Sequence, residues 1–158
     1  MKAASISEIK QELKKLPQAD VVELCLRLAR YKKENKELLT YLLFESDDTE
    51  AYMRAIREEM DDDFASMNRS NLYIAKKSLR KILRTVNKYI KYAASKEIEI
   101  ELLLHFCTSY KGLKIPVHKS TALANLYQGQ LKKIRASIAT LHEDLQYEYQ
   151  RQADRLDD

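Results

Sequence analysis

Glycine and proline are scarce, with two of each in 158 residues, against average usage of roughly 7% and 5%. Collagen-like and Pro/Gly-rich disordered chains are therefore excluded. So is a sheet with many tight turns, because those turns need residues that tolerate positive φ. Gly112 and Gly129 stand alone. The glycine-rich loops that bring backbone amides onto a phosphate are missing, and with them the P-loop and dinucleotide fingerprints. Cysteine is equally sparse. Cys25 and Cys107 each sit inside an apolar run, where a thiol packs as a small hydrophobe. Two reduced thiols fit a cytoplasmic protein. No apolar run approaches the ~18 residues of a membrane span, so no membrane partner is expected. The first fifteen residues are charged and amphipathic without an apolar h-region, so no secretory signal is expected.

Residue types for metal or covalent chemistry are also thinly spread. The chain has three histidines, His105, His118 and His142, and lacks CxxC, HxxxH and HExxH patterns. His105 and Cys107 are two apart, which puts them on different sides of a helix. Inward-facing carboxylate dimetal sites use Glu-x-x-His pairs. Glu101 and His105 are spaced by four, and there is no second such pair. Glu97 and Glu101 fall on one helix face and read as a solvated or salt-bridged edge. The expectation is no catalytic, metal-binding or cofactor-binding residue, and no enzyme activity. The place where a small-ligand pocket would contradict this is near His105.

What the chain does have is helical periodicity. Ile6, Ile9, Leu13 and Leu16 make one stripe at spacings of 3, 4 and 3. Ser5 and Glu8 have the spacing of a capping box, and Pro17 ends the helix. A second helix, about 19–31, is apolar on several sides, which predicts a central position. Asn35 is a candidate cap for a third helix, dense in apolar residues from Leu38 to Phe44. The pair reads as an αα-hairpin of two buried helices. A fourth helix, about 48–67, carries Tyr52, Ile56, Met60, Phe64 and Met67. Ser70 is a candidate cap for a fifth, about 71–94, with Leu72, Ala75, Leu79, Ile82 and Val86. A sixth spans about 96–110. Its opening Lys96-Glu97-Ile98-Glu99-Ile100-Glu101 alternates like a strand but has no partner strand elsewhere. Gly112 is a natural helix stop and Pro116 a second one.

From about residue 119 to 155 the chain reads as a long C-terminal helix or a broken helix pair. Tyr127, Leu131, Ile134, Ile138, Leu141 and Leu145 follow at spacings of 4, 3, 4, 3 and 4, the seam of a coiled coil. This segment either returns along the core or projects as a dimerisation helix, with Gly129 a candidate break. The whole is expected to be one all-α domain over 1–158, with six or seven helices in α-α hairpins, as a bundle or short solenoid.

Two blocks, Glu37-Leu38-Leu39-Thr40-Tyr41-Leu42 and Glu101-Leu102-Leu103-Leu104-His105-Phe106, each follow a helix with a basic-aromatic turn, Arg30-Tyr31-Lys32-Lys33 or Lys88-Tyr89-Ile90-Lys91. This grammar resembles helical-repeat scaffolds of the HEAT/armadillo kind. The blocks lie 64 residues apart in this chain, where those repeats recur every ~40–47. The resemblance implies a stack of helix pairs with a face for another macromolecule, and no catalysis.

Net charge is only +4, but its distribution is segregated. Residues 45–63 carry Glu45, Asp47, Asp48, Glu50, Glu58, Glu59, Asp61, Asp62 and Asp63 against Arg54 and Arg57. Residues 71–94 carry Lys76, Lys77, Arg80, Lys81, Arg84, Lys88 and Lys91 with no acid. Lys76, Arg80, Arg84 and Lys88 recur every fourth residue, a ridge of like charges that repel by a few tenths of a kcal/mol per pair. Either the ridge is solvated or paired internally with the acidic helix, or Lys76, Arg80, Arg84, Lys88 and Lys91 meet an acidic partner. The favoured expectation is a protein-interaction module that self-associates, with Leu131, Ile134, Ile138, Leu141 and Leu145 as the seam. The second is a nucleic-acid-binding protein that uses the ridge.

Overall fold

A computed structural model of the chain describes residues 1–157. The described residues form eight α-helices and no strand. The chain is all-α as expected, with more helices than six or seven because the C-terminal segment is two helices. The chain falls into two compact units, Met1–Phe44 and Glu45–Asp158.

The first unit holds α1 (Ile6–Leu13), α2 (Gln18–Tyr31) and α3 (Lys33–Thr40). The capping box at α1 is complete: the Glu8 amide donates to Ser5 Oγ at 3.3 Å, and the Ser5 amide donates to Glu8 Oε2 at 2.8 Å. Pro17, with no N–H to lose, opens α2. Lys32, in extended backbone, separates α2 from α3. Asn35 lies inside α3 and is not its cap; its amide donates to the Leu28 carbonyl at 2.8 Å and ties the two helices together. The expectation of two buried central helices does not hold, because no residue of α1, α2 or α3 is buried. Being apolar on several sides makes a helix fit to be covered, but this unit has no further layer of helices to cover it.

The second unit holds α4 (Thr49–Ser66), α5 (Leu72–Ala93), α6 (Lys96–Gly112), α7 (Thr121–Ile138) and α8 (Glu143–Asp157). Asp48 caps α4 by accepting from the Ala51 amide at 2.9 Å. Asn71, not Ser70, caps α5 by accepting from the Ile74 amide at 2.9 Å. The alternating segment at 96–101 is helical. Its isoleucines are buried because α6 is wrapped by α4, α5, α7 and α8. Phe106, Leu102 and Leu103 at the centre of α6 have no solvent exposure. Rings continue the core outward: Phe64 to Phe106 at 5.5 Å, Phe106 to Tyr110 at 6.3 Å and Tyr110 to Tyr127 at 5.0 Å between centroids. Buried hydroxyls find carbonyls, Tyr110 donating to Leu123 at 2.9 Å and Tyr127 to Leu156 at 2.7 Å.

The glycines do not mark the breaks. Gly112 lies within α6 and Gly129 within α7, neither at positive φ. Positive φ falls on Ala94, which ends α5, and on Lys114 after α6. The interruption of the C-terminal segment is at 139–142, and α8 then packs on α6 and α7.

Candidate functional site

The cationic stripe sits on α5 opposite its buried face. Ala75, Leu79, Ile82, Val86 and Ile90 point into the core. At 100° per residue, Lys77, Arg80, Lys81, Arg84 and Lys91 fall on the far side, and all five are exposed. Lys77, Arg80, Lys81, Arg84 and Lys91 form no ion pair with an α4 carboxylate among the described residues. Three of the α4 acids have partners of their own. Asp61 meets His105 Nε2 at 2.7 Å, Glu59 accepts from the Tyr89 hydroxyl at 2.9 Å, and Glu50 lies 3.7 Å from Arg57. Arg57 in turn reaches Glu101 at 2.7 Å. Lys76 lies over the Tyr73 ring at 5.5 Å from its centroid, and Lys88 over Tyr89 at 4.9 Å. Arg80, Arg84 and Lys91 have no ion-pair partner among the described residues. Tyr73 is 70% exposed on the same side of the helix.

The structure does not leave Leu131, Ile134 and Ile138 free as a coiled-coil seam. All three are buried in the core of the second unit. Leu141 lies in the break between α7 and α8, half-buried, and Leu145 is on α8. Heptad spacing serves an ordinary core helix as well as a coiled coil, and here it lines α7 against α6.

Most of the exposed large apolar side chains lie in the first unit, where the sequence predicts two buried helices. Val22, Leu24, Leu26 and Leu28 of α2 are exposed, as are Leu42, Leu43 and Phe44 after α3. One groove at α2 and α3, about 610 Å³, is lined by the apolar Leu26, Ala29, Leu39, Leu43 and Phe44. Arg30, Lys32, Lys33 and Lys36 line it too. Of these, Lys33 lies 3.5 Å from Glu37. A second groove, about 220 Å³, is lined by Cys25, Leu28, Ala29, Asn35, Leu38, Leu39 and Leu42. The signal for this exposure was available in the sequence. Three short helices that end at a strongly acidic stretch contain too little chain to enclose an all-round apolar helix.

The residues with chemical potential are placed as follows. Cys107 is fully buried, and burial pushes its thiol up to about 12, so it is no thiolate at neutral pH. Cys25 is exposed, and both thiols are free. His105 is half-buried against Asp61. Glu101 is held by Arg57 and by the Tyr149 hydroxyl at 2.9 Å, and burial with that hydrogen bond raises Tyr149. His118 and His142 are exposed and lie apart from the other histidine in sequence and element. Among the described residues no group of three His, Cys, Asp or Glu is arranged to hold a metal ion. No helix is long and apolar enough to cross a membrane.

The most buried charge is Glu99, 5% exposed. Lys96 reaches it at 2.7 Å, Lys133 at 3.0 Å, and the Ser137 hydroxyl donates to it at 2.9 Å. Burial by itself would raise its carboxyl, but these three partners outweigh burial and hold it below the ordinary range. It joins α6 to α7 and is structural. Comparison with protein-family models, with curated proteins and with solved structures finds no match.

Proposed function

We propose that the chain is a non-enzymatic protein-interaction module that pairs with a second copy of itself through the unit Met1–Phe44. The observation that carries this reading is the exposure of most of that unit's apolar side chains: none of α1–α3 has a buried residue, and Tyr41, just after α3, is the one buried side chain of the unit. A unit this small needs a disulfide, a metal or another chain to complete its core. Both cysteines are free, and a second chain would supply the missing cover.

Charge along α2 favours a second copy as the occupant. Asp20 and Glu23 lie in its first half and Arg27 and Arg30 in its second, at spacings of 3, 4 and 3 on one face. They flank the apolar side of Val22, Leu26 and Ala29. None of the four has an ion-pair partner among the described residues. A two-fold pairing with the α2 helices antiparallel sets the acids of one copy against the bases of the other, and the same patch serves both copies. It also brings four helices, α2 and α3 from each copy, around one apolar centre.

Light scattering of the full chain over a dilution series tests the reading. The expected result is a mass of twice 18.5 kDa that falls towards the monomer on dilution. Leu26→Glu with Leu43→Glu is expected to give a monomer with an intact second unit. A wild-type mass of 18.5 kDa at every concentration would refute self-association.

A further inference from the structure

The exposed cations of α5 are not used by the self-association surface, and they lie in the other unit. We infer that this face of α5 binds the phosphodiester backbone of a nucleic acid without regard to sequence.

Its dimensions and charge suit such a ligand. From Lys77 to Lys91 the stripe runs about 21 Å at 1.5 Å per residue. Arg80, Lys81 and Arg84 are exposed at its centre. Of the α4 carboxylates, Asp61 is held by His105 of α6, and Glu59 accepts from the hydroxyl of Tyr89 on α5 itself. Asp63 shares a polar hollow of about 200 Å³ with Lys81 and Ser78. Cations lined up on a helix without neutralisation repel one another, a cost that a polyanion removes while releasing its condensed counterions.

What the face lacks distinguishes nucleic acid from other polyanionic surfaces. Protein interfaces are organised around buried apolar or aromatic anchors inside a polar rim. An anionic membrane is gripped by a basic helix that also inserts apolar side chains. On α5 the only exposed large hydrophobic side chain is Tyr73. A single planar ring at one end, beneath Lys76, is a platform on which a nucleobase can stack. Backbone contact by point charges needs no apolar core.

Fluorescence anisotropy with a labelled 20-nucleotide single strand and a labelled duplex of the same length tests the inference. With four or five phosphates neutralised, affinity for the duplex is expected to fall on the order of 10²-fold or more between 50 and 200 mM salt. Arg80→Glu with Arg84→Glu is expected to abolish binding to both probes with the helical circular dichroism unchanged. Lys119→Glu with Lys132→Glu changes net charge equally at exposed positions outside α5 and is expected to leave affinity within a few-fold of wild type. No binding at 50 mM salt would overturn the inference. So would equal loss in the two variants, which would make net charge the cause. Displacement of the probes by polyglutamate at equal charge would also overturn it and assign the face to an acidic protein. None of these outcomes depends on whether the chain pairs through Met1–Phe44, because both variant sets leave that unit unchanged.

Discussion

The two units are built from the same material and use it in opposite ways. Residues 1–44 are, if anything, richer in apolar side chains than the rest of the chain, yet α1, α2 and α3 bury none of them. The second unit surrounds α6 with four helices and buries Phe106, Leu102, Leu103, Leu123 and Ile134 completely. Apolar density on a helix therefore states that something must cover it. Whether the cover comes from the same chain depends on how many further helices the chain supplies nearby. In the second unit five helices suffice. In the first, a hairpin and one short helix do not, and the surface left over is where function is proposed.

Three substitutions grade this contrast. Phe106→Ala removes a ring at the centre of the second unit and is expected to cost about 3–5 kcal/mol, as lost transfer energy and a cavity that the packed helices cannot close. Denaturant unfolding checks this; a loss near zero would mean that α6 is not central. Glu99→Gln keeps a polar group for Ser137 but leaves Lys96 and Lys133 without their carboxylate. The expected cost is about 1–3 kcal/mol. The wild-type Glu99 carboxyl is lowered by folding. Its contribution is therefore full above the unfolded Glu value of about 4.3 and is lost as pH falls through the folded value. The Gln variant should flatten that acid limb of the stability profile, and an unchanged limb would assign the loss to other carboxylates. Ile6→Ala in α1 trims a side chain that is 81% exposed, and the expected change is within about 0.5 kcal/mol. A loss comparable to that of Phe106→Ala would show that the first unit has a core after all.

Element type was legible because it depends on spacing. The stripe on α5 and the capping box at Ser5 and Glu8 are written in residues a few positions apart, and each appears where the spacing puts it. Positions that depend on tertiary cover were not legible. The heptad of Leu131, Ile134 and Ile138 specifies a face but not what meets it, and α6 meets it. Gly112 and Gly129 looked like breaks by residue type, yet both are helical, while Ala94 and Lys114 take the left-handed conformation that glycine would adopt more easily. The cationic stripe was legible in full as a pattern. That Arg80, Arg84 and Lys91 form no ion pair among the described residues was not, because adjacency of α4 and α5 in sequence does not say which way each carboxylate turns.

The central claim is that α2 pairs antiparallel with α2 of a second copy, and a charge exchange tests it most directly. Asp20→Arg with Glu23→Arg makes the whole charged face of α2 basic; Arg27→Glu with Arg30→Glu makes it acidic. Sedimentation velocity should find each variant monomeric alone, and an equimolar mixture should sediment as a heterodimer. Variants that each remain dimeric, or a mixture that remains monomeric where wild type is dimeric, would contradict the account.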